Sequence, residues 1–260
     1  MTSILPKDSV SGHTGAIQRA LMGRKGFLVS INRVGRLMGL AGMKGLRRGK
    51  CVVTTRKTTT LSASDLVNRV FHTDRPDQIW VTDVTYVRTS HGWVYTALVT
   101  DAFNREIVAA HVSHRINEDL VRDTLSLAVA YRGRQNHPIV SPLILHSDHG
   151  SVYTAIRYGE QMINHGITPS FGSVGDALDN ALAEAVNSLY KAECVNQDGP
   201  FGSTGDVLDA TIDWVDWYNN QRLHEYLDYH TPTEIRRQYY SQQQLLENQP
   251  ATQQTSGNKI

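Results

Sequence analysis

The middle of the chain alternates between apolar runs typical of strands and periodic stretches typical of helices. Three β-branched and aromatic runs come first, at residues 78–88, 93–102 and 106–113, and the short polar segments between them suit hairpin turns. Residues 118–132 follow, with apolar side chains at helical spacing. The pattern therefore predicts three antiparallel strands and then a helix.

The second half of the chain continues with the same two patterns. A short apolar strand begins at Leu143, and a helix is predicted over residues 153–165, a strand over 167–171 and a helix over 176–193. Two further helices are predicted, over residues 206–221 and, shorter, from Pro232. This order predicts an α/β fold in which helices flank a mixed five-stranded sheet, the arrangement of a ribonuclease-H-like fold.

The helix predicted over residues 176–193 has two different sides. Its apolar stripe consists of Leu178, Leu182, Ala185, Val186 and Leu189. The other side carries Asn180, Glu184, Ser188 and Lys191. Such a helix can bury its stripe and still direct a carboxylate from its flank toward the end of a neighbouring strand.

The two ends of the chain differ from this middle. Helical stretches at residues 13–22 and 30–40 are separated by glycines and followed by a Lys/Arg cluster, which suits a helix-turn-helix-like DNA-binding segment. The last residues are rich in Gln and poor in apolar side chains, which favours disorder. We therefore divide the chain into a basic segment at 1–57, a linker at 58–76, a core with C-terminal helices at 77–240 and a disordered tail at 241–260.

The formal net charge of +1 hides a strong asymmetry. The first 60 residues hold twelve Lys or Arg side chains and one acid, Asp8, whereas the remaining 200 hold 14 basic and 24 acidic side chains. One interpretation is a basic arm for a polyanion, joined to a domain whose acids have another role. The other interpretation is an ordinary basic tail that is exposed to solvent.

The composition also indicates in which cell compartment the protein is expected. The two cysteines, Cys51 and Cys194, match no zinc or redox spacing, which favours a reducing environment. No apolar run approaches the ~20 residues that span a bilayer. The N-terminus lacks the pattern of a secretory signal. We therefore expect a cytoplasmic protein with no membrane partner.

Three acids are candidates for chemistry because of the elements that carry them. Asp83 lies in the middle of a predicted strand with apolar residues on both faces, Asp148 follows the strand that begins at Leu143, and Glu184 lies on a helix flank. A lone charge in a central strand is costly unless a proton, a basic partner or a cation neutralises it. Taken singly, the three could be a salt-bridged aspartate, a turn cap and a solvated surface acid.

Their combination favours a metal site. In the predicted topology Asp83, Asp148 and Glu184 converge at one sheet edge, where they would repel and take up protons unless divalent metal lay between them. Hard oxygen ligands with open water positions suit Mg²⁺. Two such ions about 4 Å apart suit phosphoryl transfer.

Four segments around these acids are similar to motifs of a known enzyme family. They are residues 80–86 (WVTDVTY), 101–105 (DAFNR), 146–153 (HSDHGSVY), and Gly175-Asp176 with residues 179–184 (DNALAE). Thirty-five residues separate Asp148 from Glu184, and Lys191 follows Glu184 by seven. Residues 217–222 (WYNNQR) and Thr231-Pro232 add a C-terminal signature. Over residues 26–239 the chain resembles the DDE transposases of the insertion-sequence-3 family, in the retroviral-integrase superfamily.

The resemblance implies a polynucleotidyl transferase that cleaves and joins DNA during transposition. Asp83, Asp148 and Glu184 would be its catalytic acids and would bind two Mg²⁺ ions, or Mn²⁺ in their place, with Asp83 between the two. Water would attack at the transposon end, and the freed 3′-hydroxyl would attack a second phosphodiester in the same site.

Partners are also implied by the resemblance. They are double-stranded DNA (the terminal repeats and the target), a helical protein from an upstream frame of the same element, and further copies of the chain on DNA. The cell would be bacterial, with the protein at the nucleoid when it is bound to DNA.

Other residues have expected roles around this site. The resemblance implies that Lys191 contacts DNA phosphate near the cleavage point. Asn180 would support the ligands or be a plain helix residue, and His146 would support them or, as we favour, be a packed histidine at a strand end. Trp214, Trp217 and Tyr218 are expected in the core. The DNA-binding residues of the basic segment would be Arg33, Arg36, Arg47, Arg48 and Lys50.

Two alternatives to an active transposase remain open from sequence. One is a relic or nuclease-only enzyme with the same fold. The other is a DNA-binding repressor that uses the basic arm while the catalytic domain is idle.

Binding to duplex DNA should be strongly salt-dependent, because pairing of Lys and Arg with phosphate releases counterions. In a fluorescence anisotropy titration, the logarithm of the binding constant should fall linearly with that of the salt concentration between about 50 and 200 mM. A constant affinity over this range would contradict the assignment of a basic DNA-binding arm.

Overall fold

The computed structural model describes residues 18, 22–43, 64–137, 139, 142–172 and 177–248. Its strands are β1 (Ile79–Thr89), β2 (Gly92–Asp101), β3 (Ile107–Ser113), β4 (Leu143–Ser147) and β5 (Ile167–Phe171). They form one sheet in the order β3-β2-β1-β4-β5. The first three strands pair antiparallel, whereas β4 is parallel to both β1 and β5. The predicted mixed five-stranded sheet is thereby confirmed.

Several helices pack on the two faces of this sheet. The longer helices of the described residues are α1 (Ile31–Leu40), α2 (Glu118–Arg134), α3 (Ile156–Asn164), α4 (Ala181–Tyr190), α5 (Thr204–Asn220) and α6 (Pro232–Glu247). A 3-10 turn, Ala177–Asn180, precedes α4, and a π-helical turn, Lys191–Val195, prolongs it as far as Asp198. A second 3-10 turn, Glu225–Leu227, lies between α5 and α6. Four helices start at side chains that cap their first N–H groups: Ser30, Asn117, Ser203 and Thr231.

Each face of the sheet has its own apolar core. Side chains alternate along β1 between the two faces. Trp80 lies on one face and packs with Tyr158 of α3 and with α2. Val87 lies on the other face and packs with Val186 of α4 and with α5. The aromatic residues of α5 that were expected in the core, Trp214, Trp217 and Tyr218, belong to the second core. Because α4 covers β1 on this second face, any polar side chain that they share is shielded from water.

The buried face of α4 differs from the predicted stripe. It consists of Ala183, Val186, Asn187 and Tyr190, while Leu182, Ala185 and Leu189 are only partly buried. The side chain of Leu178 and the predicted helix start at Asp176 lie outside the described residues. The prediction is confirmed for Val186, and for Leu182 and Leu189, which pack against the second core. It missed that the buried face is centred one residue further round the helix, where Asn187 has a partner on β1.

The last helix is longer than predicted. α6 continues to Glu247, so the prediction of disorder from residue 241 is wrong as far as Glu247. Glutamine and leucine are good helix formers, and they extend a helix whose start is fixed by the capping box between Thr231 and Glu234. Residues 249–260 lie outside the described residues, as do residues 13–17 and 19–21 of the first predicted helix.

The described part of the predicted linker lies against the core. Val67 is buried, and the Leu66 N–H donates to Ser170 Oγ on β5 at 2.9 Å. Arg69 Nε donates to Asp179 Oδ1 at 2.6 Å. Residues 65–69 therefore brace the turn that leads into α4.

A buried ion network closes one end of the sheet. The Arg132 guanidinium of α2 donates to three buried carboxylates, those of Asp77 (2.8 Å), Asp101 (2.9 Å) and Glu106 (2.8 Å). Arg236 of α6 pairs with the second oxygen of Glu106. Burial alone would lower the pKa of Arg132, but the charges of Asp101 and Asp77 raise it above its usual value. The guanidinium therefore stays charged and joins α2 to β1, β2 and β3.

Replacing the central cation of this network should destabilise the fold. Arg132→Met leaves buried carboxylates without their main partner, so we expect the free energy of unfolding to fall by about 3–5 kcal/mol in urea titrations. The control is Arg122→Met, which removes a surface pair with Asp119 at 3.8 Å and should cost about 1 kcal/mol or less. Equal losses in the two variants would show that the network does not carry this stability.

Candidate active site

Asp83 of β1 and Asp148, the residue after β4, are brought close together by the pairing of these two parallel strands. β1 and β4 pair through Ile79–Ile144, Trp80–Leu145 and Val81–His146, a constant offset of 65 positions. Two residues further along, the same offset sets Asp148, just after β4, beside Asp83. Paired strands are about 4.8 Å apart. The sheet therefore brings two carboxylates from distant parts of the sequence to one point on its edge.

Glu184 reaches this pair from α4. One helical turn after it, Asn187 Nδ2 donates to Asp83 Oδ2 at 2.8 Å, which fixes α4 over β1. The charge of Asp148 raises the pKa of both Asp83 and Glu184, and the charge of Glu184 raises that of Asp83. The three acids singled out from the sequence are thus close enough to interact electrostatically.

The pKa of Asp83 is the most perturbed of the three. Burial raises this pKa most, and the charges of Asp148 and Glu184 raise it further. Hydrogen bonds from the Val84 N–H and from Asn187 lower it, but the pKa still reaches about 7. Burial also raises the pKa of Asp148, against the hydrogen bond from the Gly150 N–H. Glu184 has a pKa raised by burial and then by Asp148. Adjacent acids that resist ionisation are the setting in which a cation is most stabilising.

Donor chemistry at this edge fits a hard divalent ion. Besides the three carboxylates, two buried amide oxygens, Asn180 Oδ1 and Asn187 Oδ1, have no hydrogen-bond donor. Within the described residues, no three His, Cys, Asp or Glu side chains are gathered around one metal position. Mg²⁺ is usually held by one or two carboxylates together with substrate phosphates, so pairs of these acids meet its requirement.

Asn180 and His146 hold the backbone that carries the acids. Asn180 Nδ2 donates to the carbonyl of Thr82, the residue before Asp83, at 3.1 Å. Burial lowers the pKa of His146, whose Nε2 donates to the Asp179 carbonyl at 2.9 Å while Nδ1 accepts from Ser170 Oγ at 2.9 Å. This arrangement corresponds to the packed histidine that the sequence favoured, and it anchors the turn before α4.

Sequence reasoning missed Asn187 and the bracing of the 3-10 turn. Asn187 could have been found as a polar residue between Val186 and Tyr190, on the apolar side of the helix. Asp179 could not have been found in this way, because its partner Arg69 is 110 positions away. A Cβ at Gly172 would lie 2.9 Å from Asp179 Cβ, so this turn needs a glycine opposite it.

Comparisons with known proteins agree with this geometry. Two models of the integrase core domain match the chain, over residues 73–177 and 165–232. A transposase for insertion sequence element IS629 from Shigella sonnei is 41% identical over 218 residues, 84% of this chain and 71% of that protein. A transposase for element IS904 from Lactococcus lactis is 33% identical over 228 residues, 86% of this chain and 87% of that protein. The chain belongs to the insertion-sequence-3 family of transposases.

A solved structure shares the fold of this chain. A chain of the simian T-cell lymphotropic virus intasome, solved in complex with PP2A regulatory subunit B56 gamma, superposes with a TM-score of 0.53 at 12% identity, over 94% of this chain and 78% of that chain. This likeness shows the integrase-like, ribonuclease-H-like fold. The transposase is therefore a DNA-acting polynucleotidyl transferase of a superfamily that depends on divalent metal. These findings favour the enzyme over the idle repressor.

The DNA-binding candidates of the transposase are spread over several elements. Lys191 begins the π-helical turn after α4, with Nζ 4.2 Å from the centre of the Tyr86 ring. Arg33 and Arg36 are exposed on α1. The remaining candidates, Arg47, Arg48 and Lys50, lie outside the described residues. Among the described helices, none has the length and apolar content needed to cross a membrane.

The raised pKa of Asp83 predicts a pH-dependent stability of the metal-free transposase. Because the folded state binds this proton more tightly than the unfolded state, stability should fall as pH rises from about 4 to about 7. Asp83→Asn removes this contribution, so its free energy of unfolding should fall less than that of the parent between pH 5 and pH 8. The exposed Asp119→Asn serves as the control. Parallel curves for the parent and Asp83→Asn would contradict the prediction.

Proposed function

We propose that Asp83, Asp148 and Glu184 are the catalytic residues of the transposase and hold two Mg²⁺ ions, which Mn²⁺ can replace. The reaction is cleavage at the ends of the insertion sequence, followed by transfer of the freed 3′-hydroxyl to target DNA. The observation that carries the proposal is the parallel register that sets Asp148 beside Asp83, with Glu184 within electrostatic reach of both.

Each acid has a distinct place in this proposal. Asp83 and Asp148 would hold the ions from the β1 and β4 side of the site, and Glu184 would hold them from α4. When bound, the ions would activate the attacking oxygen and stabilise the leaving one. The partial exposure of Glu184 leaves that side of the site open to a DNA strand.

The surrounding side chains keep the acids in position. Asn187 holds one oxygen of Asp83 and the Val84 N–H holds the other, so the carboxylate has a fixed orientation on β1. The Gly150 N–H holds Asp148 at 3.2 Å, and a Cβ at Gly150 would lie 3.0 Å from Asp148 Oδ1. The absence of a side chain at Gly150 thus keeps space beside Asp148.

DNA contacts follow from the charge distribution. Lys191, two helical turns beyond Glu184, would contact phosphate near the cleavage point, and Arg33, Arg36, Arg47, Arg48 and Lys50 would bind the terminal repeat. We extend the proposal to assembly: copies of the transposase act together on DNA, with an upstream-frame helical protein contributing to recognition of the ends.

A strand-transfer assay tests the catalytic assignment. With Mg²⁺ and a labelled duplex carrying the terminal repeat that flanks the coding frame, the parent should produce joined product. Asp148→Asn and Glu184→Gln should lower the rate of joining by about 100-fold or more. Each variant removes a metal ligand, and metal ions stabilise the transition state by several kcal/mol. Asn187→Ala should lower the rate of joining by about 10- to 100-fold, because the Asp83 carboxylate would lose the hydrogen bond that orients it.

Controls separate the alternatives. Asp119→Asn changes an exposed acid of α2 and should join DNA as the parent does. Cleavage without joining in the parent would indicate a nuclease-only enzyme. DNA binding without any reaction in both the parent and Asp148→Asn would indicate the repressor and contradict the proposal.

A further inference from the structure

The turn that leads into α4 is held to the rest of the transposase through Asp179. The carboxylate of this buried residue accepts from Arg69 Nε at 2.6 Å, although 51% of the Arg69 side chain is exposed. Its backbone carbonyl accepts from His146 Nε2 at 2.9 Å. The carboxylate and the carbonyl of Asp179 are therefore both fixed by groups that lie outside α4.

The contact with His146 also leads back to the segment before β1. The Leu66 N–H donates to Ser170 Oγ at 2.9 Å, and Ser170 Oγ donates to His146 Nδ1 at 2.9 Å. Ser170 and His146 are fully buried, and with Nε2 as the donor to Asp179 each group in this series has its partner. Residues 65–69, which we call the brace, thus reach Asp179 by two routes.

The backbone of the brace is bent where it makes the direct contact. Asn68 has a φ of 48° and Arg69 a φ of 62°, in the left-handed region that an arginine rarely adopts. The Asp65 carboxylate holds this bend by accepting from the Val67 and Asn68 N–H groups at 2.8 and 3.0 Å. Costly backbone conformations persist only where surrounding contacts maintain them, and they cluster at functional sites. In this conformation Arg69 reaches Asp179.

The turn held by Asp179 connects directly to the proposed metal ligands. The next residue, Asn180, donates to the carbonyl of Thr82, the neighbour of Asp83, at 3.1 Å. Glu184 follows Asp179 by five residues and lies in the first turn of α4. A shift of this turn would therefore move Glu184 relative to Asp83, and Mg²⁺ demands near-ideal geometry of its oxygen ligands.

We propose that Arg69 is a positioning residue of the transposase, which acts through Asp179 to set the place of Glu184 opposite Asp83. The inference rests on the proposed function, because it assumes that these acids hold the ions. Arg69 itself would touch neither the ions nor DNA. The brace belongs to the segment between the basic N-terminal residues and β1, so a displacement of this segment would reach the acids through the same contacts.

Arg69→Gly separates positioning from stability. Glycine tolerates the left-handed conformation, so this variant removes the contact with Asp179 without backbone strain, and its melting temperature should stay within about 4 °C of the parent's. The rate of strand transfer should fall about 10-fold. The affinity for Mn²⁺ without DNA, measured from the electron paramagnetic resonance signal of the free ion, should fall by a similar factor, as for other groups that orient metal ligands. Arg69→Lys keeps the charge and should lie closer to the parent than to Arg69→Gly in both measurements.

Asp179→Asn tests the other partner of the pair. It should lower the rate and the Mn²⁺ affinity in the same direction, and the double variant with Arg69→Gly should lose no more than the larger single loss, because residues that act as a pair are not additive. The matched control is Arg75→Ala. It removes a positive charge from the same predicted linker, at a residue whose N–H is bonded to Gln78, and should behave as the parent does.

DNA affinity distinguishes positioning from a direct contact with DNA. By fluorescence anisotropy, Arg69→Gly should bind a blunt duplex within about twofold of the parent, since no phosphate contact is lost. A clear loss of affinity in Arg69→Gly but not in Asp179→Asn would make Arg69 a DNA-binding residue and overturn the proposal. Parental joining and parental Mn²⁺ binding by folded Arg69→Gly would also overturn it, as would equal losses in Arg75→Ala.

Failure of the proposed function gives a different result. The parent then joins no DNA, while the comparison of Mn²⁺ binding between the parent and Arg69→Gly still decides whether Arg69 positions the acids. A parent that binds no Mn²⁺ would contradict both proposals.

Discussion

Repulsion between two carboxylates, one within β1 and one just after the parallel strand β4, is the constraint on which the arrangement of this transposase depends. The strands pair as far as Val81 and His146, and both acids follow within two residues of that pair, so the strand register keeps Asp83 and Asp148 close together. Burial increases the penalty for charging Asp83. The surrounding structure holds these elements in place with hydrogen bonds from neutral groups. Asn187 donates to the Asp83 carboxylate, Asn180 to the Thr82 carbonyl and His146 to the Asp179 carbonyl.

The opposite end of the same sheet shows how the protein treats acids that have no outside partner. Asp77, Asp101 and Glu106 are also three buried carboxylates, but the protein supplies Arg132 and Arg236 to them. Asp77 lies just before β1 and Asp83 lies within it. The acids before β1 are thus neutralised by arginines of the protein, whereas Asp83 has hydrogen-bond donors and no protein cation in direct contact among the residues described. That difference, more than the number of acids, distinguishes a structural cluster from a reactive one.

Much of this could be read from local patterns. The strands of the sheet, α2 and the approximate place of α4 follow from periodicity, and the offset between Asp83 and Asp148 follows once β1 and β4 are known to be parallel. The apolar pattern can mark Asn187 as a polar residue on the buried side of α4, but it cannot identify Asp83, 104 positions away, as the partner that stabilises it there. Arg132 is the last residue of the helix predicted over 118–132, and its role could not be predicted because its three partners lie 26 to 55 positions away. Contacts over such distances depend on the fold and leave no periodic trace.

Unequal strand lengths have a last consequence. β1 has eleven residues and β4 has five, and they pair at three positions, so β1 continues beyond its neighbour along one border. A bare border of this kind can recruit strands from other molecules and start aggregation. Here the unpaired segment of β1 has a contact at each end. Asn180 donates to the Thr82 carbonyl at one end, and Thr89 forms a bridge with Phe201 at the other. These two contacts satisfy backbone groups at both ends of the unpaired border of β1, which lowers the tendency of this border to pair with another chain and start a fibril.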